Sequence, residues 1–205
     1  MFPPLAPITR ALIIANVLVY LLELAIPEPL IQLFALWPLG PLFRPWQVVT
    51  YAFLHEPHLF THILFNMFAL YMFGSTLENY WRSHGAATFY VLFYFASVLA
   101  AAGTELLVLG RASPSEPVLG ASGGVFGVLL GFAWFFPRNK LIVLPIPIPI
   151  SAWLLVTIYG AIELWLGVTG RQEGVAHFAH LGGMLGGAIM ILLWRTMDRG
   201  RATLH

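Results

Sequence analysis

Hydrophobic positions fall in six long runs, roughly Ile8 to Ile26, Leu59 to Leu77, Ala86 to Leu109, Leu119 to Phe136, Ile148 to Val168 and Val175 to Trp194. Each covers about 18 to 24 residues, enough for a helix rising about 1.5 Å per residue to cross a hydrocarbon layer. Ten-residue stretches of alternating hydrophobicity, the mark of a membrane β-barrel, are not seen. The pattern predicts an all-α polytopic membrane protein, a bundle of six transmembrane helices forming one domain over residues 1–205. The longest connection, Pro27 to His58, is rich in proline and aromatic residues such as Trp37, Phe43 and Trp46. These suit the interfacial belt, so the segment is expected to be ordered and partly embedded. Pro145-Ile146-Pro147-Ile148-Pro149 alternates proline with isoleucine and should be extended, with the fifth helix starting only near its end. It reads as a stiff connector holding isoleucines at the membrane surface, with a docking motif for a proline-binding module as the alternative.

Composition supports the membrane reading: 59% of residues are hydrophobic, 9% are charged, and the mean hydropathy is +0.82. With six spans, one side holds Arg10, Arg82, Arg138, Lys140, Arg195, Arg199 and Arg201, and the other only Arg44, Arg111 and Arg171. The positive-inside bias then puts both termini in the cytoplasm. Pro3, Pro4 and Pro7 precede the first run and no small-residue cleavage site follows it, so it is expected to be a true span rather than a signal peptide. A net charge of +1 without a basic patch predicts no nucleic-acid partner, and the absence of cysteine excludes disulfides, thiol nucleophiles and thiolate metal sites.

Polar residues inside the runs carry the candidate chemistry. Ser122 lies near the start of the fourth run in Gly120-Ala121-Ser122-Gly123-Gly124, and His180 near the start of the sixth. His62 and Asn66, spaced i, i+4 on one helix face, lie near the start of the second. Second, fourth and sixth spans enter from the same side, so all four side chains fall within roughly 10 Å of one boundary. A serine hydroxyl needs a base to become nucleophilic, and an imidazole supplies one near neutral pH. Backbone N–H groups at a glycine-rich helix start, including that of Gly123, together with His62 and Asn66, would stabilise an oxyanion. No acidic residue sits at that depth in these three spans, so a Ser–His dyad is expected, its imidazole oriented by packing against Phe126. Gly123-x-x-x-Gly127-x-x-x-Gly131 and Gly183-x-x-x-Gly187 predict close approach of the fourth and sixth helices. His55, His58 and His62, or His177 and His180, have spacings that invite a zinc reading, but His55-Glu56-Pro57-His58 lacks two histidines at i, i+4 on a helix. No metal and no cofactor are expected. His177 is expected at the boundary or behind the site, and Glu23, Glu105 and Glu163, near the ends of their runs, are expected to reach the interface.

Taken in order, these motifs resemble the bacterial six-helix form of the rhomboid family of intramembrane serine proteases. His62-x-x-x-Asn66, Gly74-x-x-x-Glu78, Gly120-Ala121-Ser122-Gly123 and Ala179-His180-Leu181-Gly182-Gly183-x-x-x-Gly187 carry the likeness over most of the chain. The resemblance implies Ser122 as nucleophile, His180 as base, and His62, Asn66 and the backbone N–H at Ser122 as the oxyanion site, with Gly120, Gly183, Gly187 and Phe126 in support. It implies transmembrane proteins as substrates, lipid as environment, and a prokaryotic plasma membrane as location, consistent with the lack of an organelle-targeting extension. Gln47 follows Trp46 where family members often carry arginine, and Phe126 stands where many have tyrosine. A catalytically inactive rhomboid-like protein that binds membrane helices, and a small transporter or channel, are the competing readings.

Overall fold

A computed structural model describes residues 3–112, 116–143, 146–170 and 175–202. Pro145 and Arg171, and the side chains of Arg111, Arg199 and Arg201, fall outside this description. The first run forms α1 (Pro7–Glu23), with proline at a helix start where a missing N–H costs nothing. The long connection is ordered: α2 (Pro27–Phe34), α3 (Gln47–Thr50) and a 3₁₀ turn at Tyr51–Phe53. The second run is α4 (Phe60–Ala69), which passes through a π-helical turn at Leu70–Gly74 into α5 (Ser75–Ser83). Then follow α6 (Ala87–Ala112), α7 (Ser122–Phe135), an antiparallel hairpin of β1 (Lys140–Val143) and β2 (Ile146–Ser151), α8 (Ala152–Thr169) and α9 (His177–Ala202).

Among the described residues, four helical stretches are long and apolar enough to cross a membrane: Phe60–Ser83, Ala87–Val108, Ala152–Thr169 and His177–Asp198. α1, with 17 residues, and α7, with 14, are shorter than their hydrophobic runs. For α7 the cause is local. Gly120 has φ +130°, a conformation closed to a helix, and the strand-like segment before it is pinned by the Leu36–Val118 bridge and by the Gly120 N–H donating to Tyr51 O at 3.0 Å. The helix therefore begins at Ser122 rather than Leu119 and rises about 21 Å, against a hydrocarbon layer of about 30 Å. The proline–isoleucine stretch is extended, as its composition predicts, but it is also paired: Leu141 lies opposite Ile150 and Ile142 opposite Pro149. α8 consequently begins at Ala152, later than the expected Ile148.

Lipid removes most of the hydrophobic drive between helices, so small residues and close contact must hold them together. A Cβ at Gly183 would collide with the Gly123 carbonyl, and one at Gly187 would stand 3.1 Å from Gly127 Cα. The same sequence offset at both contacts shows that α7 and α9 run parallel. His62 lies beside Gly120 and Leu77 beside Gly131, so the α4–α5 rod runs in that direction too. α6 closes the seam from the other side, its Ala96, Ala100 and Thr104 filling the space left by Gly182 and Gly186.

Candidate active site

Ser122 is the first residue of α7, and its hydroxyl lies 2.8 Å from His180 Nε2, one turn into α9. Contact of Gly123 with Gly183 fixes the axial register of the two helices, which sets serine and histidine at one level. Phe126, one turn below Ser122, stacks on the imidazole with centroids 4.2 Å apart and an 8° interplanar angle. The first N–H of α7 bonded back into the segment is that of Val125, to Ala121 O. The N–H groups of Ser122, Gly123 and Gly124 therefore precede the helical ladder, beside the serine hydroxyl.

His62 faces the same turn: a Cβ at Gly120 would stand 2.9 Å from His62 Nε2, so glycine is required there for space as well as for φ. His62 Nδ1 accepts the Glu56 N–H at 3.4 Å, which leaves the ring proton on Nε2, facing the serine turn. Asn66 is buried on the same helix, but its Nδ2 donates to His62 O at 2.8 Å, and Asn66 does not line the cavity at Ser122. That cavity, about 630 Å³, is bounded by Ser122, His180, His62, Glu56, Glu105 and Glu116 together with Ile31, Leu59, Val118 and Val175.

The three glutamates expected at the interface are buried instead, and two of them, Glu23 and Glu163, find hydrogen-bond partners inside the bundle. Glu23 accepts the His55 N–H at 2.9 Å, Glu105 faces the site from α6, and Glu163 on α8 turns inward. Glu163 Oε2 lies 2.6 Å from His177 Nδ1 and 3.0 Å from His180 Nδ1. The first is a hydrogen bond; the second is close but off the hydrogen-bond axis. An acidic group thus stands beside the imidazole of His180, and it comes from the fifth run, outside the three helices that motif spacing connects. The visible signal was an ionisable residue in an apolar run; the rotation of α8 that aims it inward was not readable, since that helix is apolar on nearly every face. His177 is buried behind the site.

His55, in the ordered connection, is fully buried and packs edge-on against His62 at 5.1 Å between centroids. Burial, with His62 adding to it, pushes its imidazole down to about 3. Gln47, where the resemblance leads one to look for arginine, is also buried: its Oε1 accepts the Arg44 N–H at 2.9 Å and its Nε2 donates to Leu42 O at 3.2 Å. Trp46 Nε1 donates to Leu33 O at 2.9 Å, so the pair ties the connection to α2. Glu163, His177 and His180 bring three ligand-type atoms within 4.8 Å of one another. The short Glu163–His177 bond accounts for two of them without an ion.

A multi-pass helical membrane protein with a serine and a histidine hydrogen-bonded at the starts of two parallel helices is the class these observations define. The chain belongs to the rhomboid family: the model of the Rhomboid domain matches residues 43–196. It is 34% identical over 146 residues to "Rhomboid protein 1, mitochondrial" of Saccharomyces cerevisiae, covering 69% of this chain and 40% of that protein. It is 24% identical over 196 residues to "Rhomboid protease GlpG" of Salmonella choleraesuis and 23% identical over 196 residues to its counterpart in Salmonella newport, covering 90% of this chain and 62% of each relative. The chain therefore spans less than two thirds of the length of these relatives.

Proposed function

We propose that this protein is an intramembrane serine endopeptidase that cleaves transmembrane segments of other membrane proteins. The 2.8 Å contact between Ser122 Oγ and His180 Nε2 carries the reading. His180 takes the hydroxyl proton as Oγ forms a bond to the scissile carbonyl carbon. The carbonyl becomes an oxyanion, met by the N–H groups at the start of α7 and by the Nε2–H of His62. The tetrahedral species collapses, the C–N bond breaks, and the proton on His180 passes to the departing nitrogen, leaving an ester on Ser122. Water then adds to the ester, giving its proton to Nε2, and release of the acid returns that proton to Oγ. Asn66, bonded to His62 O, acts in this reading by steadying the His62 turn.

A transmembrane helix protects its amides by hydrogen bonding, so a substrate must unwind locally before attack. The recessed start of α7 suits this: with six spans and cytoplasmic termini, Ser122 lies several ångströms below the outer boundary, and the cavity gives it water. The chain acts as a single domain, without metal or cofactor, in the plasma membrane of a prokaryote. A polar transport pathway is disfavoured because Glu23, His55, Glu105, Glu163, His177 and His180 gather at the serine end. Among the described buried carboxylates and histidines Glu78 alone lies at the other, bonded to the start of α1.

The test is covalent labelling of detergent-solubilised protein by a fluorophosphonate. Wild type should label at Ser122, and Ser122→Ala and His180→Ala should lose labelling by at least about 10³-fold. A folded wild type that does not label would favour a helix-binding protein instead.

A further inference from the structure

We infer that Glu163 is a positioning residue for His180, so that α8 supplies a working part of the site built by α7 and α9. The inference rests on the proteolytic reading above. For Nε2 to accept the Ser122 proton, the ring proton of neutral His180 must sit on Nδ1, and a buried N–H without an acceptor is strongly disfavoured. Glu163 Oε2, 3.0 Å from that nitrogen, is the acceptor in reach. Phe126 stacked on the ring face fixes its plane but cannot choose between the two nitrogens. A carboxylate beside Nδ1 favours the proton on that nitrogen, even while it lies off the hydrogen-bond axis.

His177 completes the arrangement. Its Nδ1 holds the same carboxylate oxygen at 2.6 Å, which locks Glu163 in an inward rotamer on a helix that otherwise presents Leu154, Ile158, Ile162, Leu164 and Val168 outward. In the resting geometry the oxygen is aligned on His177 and merely adjacent to His180. When His180 accepts the serine proton it becomes a cation 3.0 Å from a carboxylate, in a surrounding where such attraction is weakly screened. Catalytic hydrogen bonds that are loose at rest commonly tighten as the reaction proceeds. Because Glu163 belongs to α8, any displacement of that helix removes the carboxylate from His180.

A merely structural Glu163 would pin α8 to α9 through His177 and leave the reactivity of Ser122 alone. Saturable fluorophosphonate labelling separates these roles by resolving the maximal rate from the half-saturating concentration. Glu163→Gln should lower the maximal rate by about 10²-fold, less than for a fully aligned third member of a triad, with the half-saturating concentration unmoved. Glu163→Asp, which keeps the charge, should recover most of that loss. In wild type, ¹⁵N NMR of labelled histidine should show His180 protonated at Nδ1 and bare at Nε2. Labelling of folded Glu163→Gln within twofold of wild type, or a wild-type His180 protonated at Nε2, would overturn the inference. If Glu163→Gln does not fold, the Asp variant and the wild-type tautomer decide it. Absence of labelling in wild type would be a failure of the proteolytic reading, whereas labelled wild type with an indifferent Glu163 would be a failure of this inference alone.

Discussion

The two ends of the bundle treat buried polar groups in opposite ways. At the end away from Ser122, the Glu78 carboxylate accepts the Ile8 N–H at 3.0 Å, the Thr9 N–H at 2.7 Å and the Thr9 hydroxyl at 2.9 Å. It caps α1 from a distant part of the chain, and Gly74, one turn earlier, leaves room for Tyr90 to approach the same threonine. At the serine end satisfaction is incomplete. Eight buried side-chain nitrogen or oxygen atoms among the described residues lack a hydrogen-bond partner, and five of them belong to His55, Glu105, His177 and His180 around the site. A buried polar atom without a partner costs about 1–3 kcal/mol, so the serine end carries more of this cost than the Glu78 end, where Trp81 Nε1 is one such atom.

Glu78→Gln should produce the largest effect that sharpens this contrast. It replaces a buried acceptor of three hydrogen bonds by an amide that must turn an NH₂ toward donors, with an expected loss of about 3 kcal/mol in thermal unfolding in detergent. The labelling rate of Ser122 per folded molecule should stay within twofold of wild type. A selective loss of labelling would mean that the far end also tunes the site, and the division would fail.

Phe126→Ala probes the other end, with the converse signature. The stack on His180 is worth about 0.5–1.5 kcal/mol beyond area burial, and its removal frees the imidazole to turn away from Ser122. The labelling rate should fall about tenfold while unfolding changes by less than the Glu78 variant's. Equal and proportionate losses in both measurements would make Phe126 a packing residue only.

Motif spacing made the serine end largely legible as a list of residues, but not as a circuit. Ser122, His180 and Phe126 announce themselves because a helix repeats every 3.6 residues, and glycines spaced four apart predict the seam that sets them level. Glu163 escaped because rotation about the axis of α8 depends on what it packs against, and its sequence is apolar all round. Asn66 shows the complementary limit: i, i+4 spacing places it on the face of His62, while the local bond to His62 O decides where its amide points. Backbone chemistry made the extended proline–isoleucine stretch readable, but not the start of α8, which pairing of β2 with β1 moves from Ile148 to Ala152. Nor were the ends of elements readable where tertiary contacts intervene, as at Leu119, which the Leu36–Val118 bridge draws out of α7. The short helix α2 and the pairing of β1 with β2 likewise depend on partners that no local pattern names.

His55 offers the smallest and most specific test, since it belongs to the serine end but lies behind His62. Its imidazole is buried, neutral and pushed down to about 3, against about 6.5 in an unfolded chain. Between those values the unfolded protein binds a proton that the folded protein refuses, so stability must fall as pH drops below about 6.5 and continue falling toward 3. From pH 7 to pH 5.5 this one group should cost about 1 kcal/mol. His55→Phe keeps an aromatic ring against His62 and the backbone N–H that Glu23 accepts, while removing two buried nitrogens without partners. The variant should be at least as stable as wild type at pH 7 and should lose about 1 kcal/mol less between pH 7 and pH 5.5, read from unfolding at the two values. Parallel pH dependence in the two proteins would show that His55 reaches solvent or a partner when protonated. The unsatisfied groups behind the oxyanion side of the site would then be fewer than the geometry indicates.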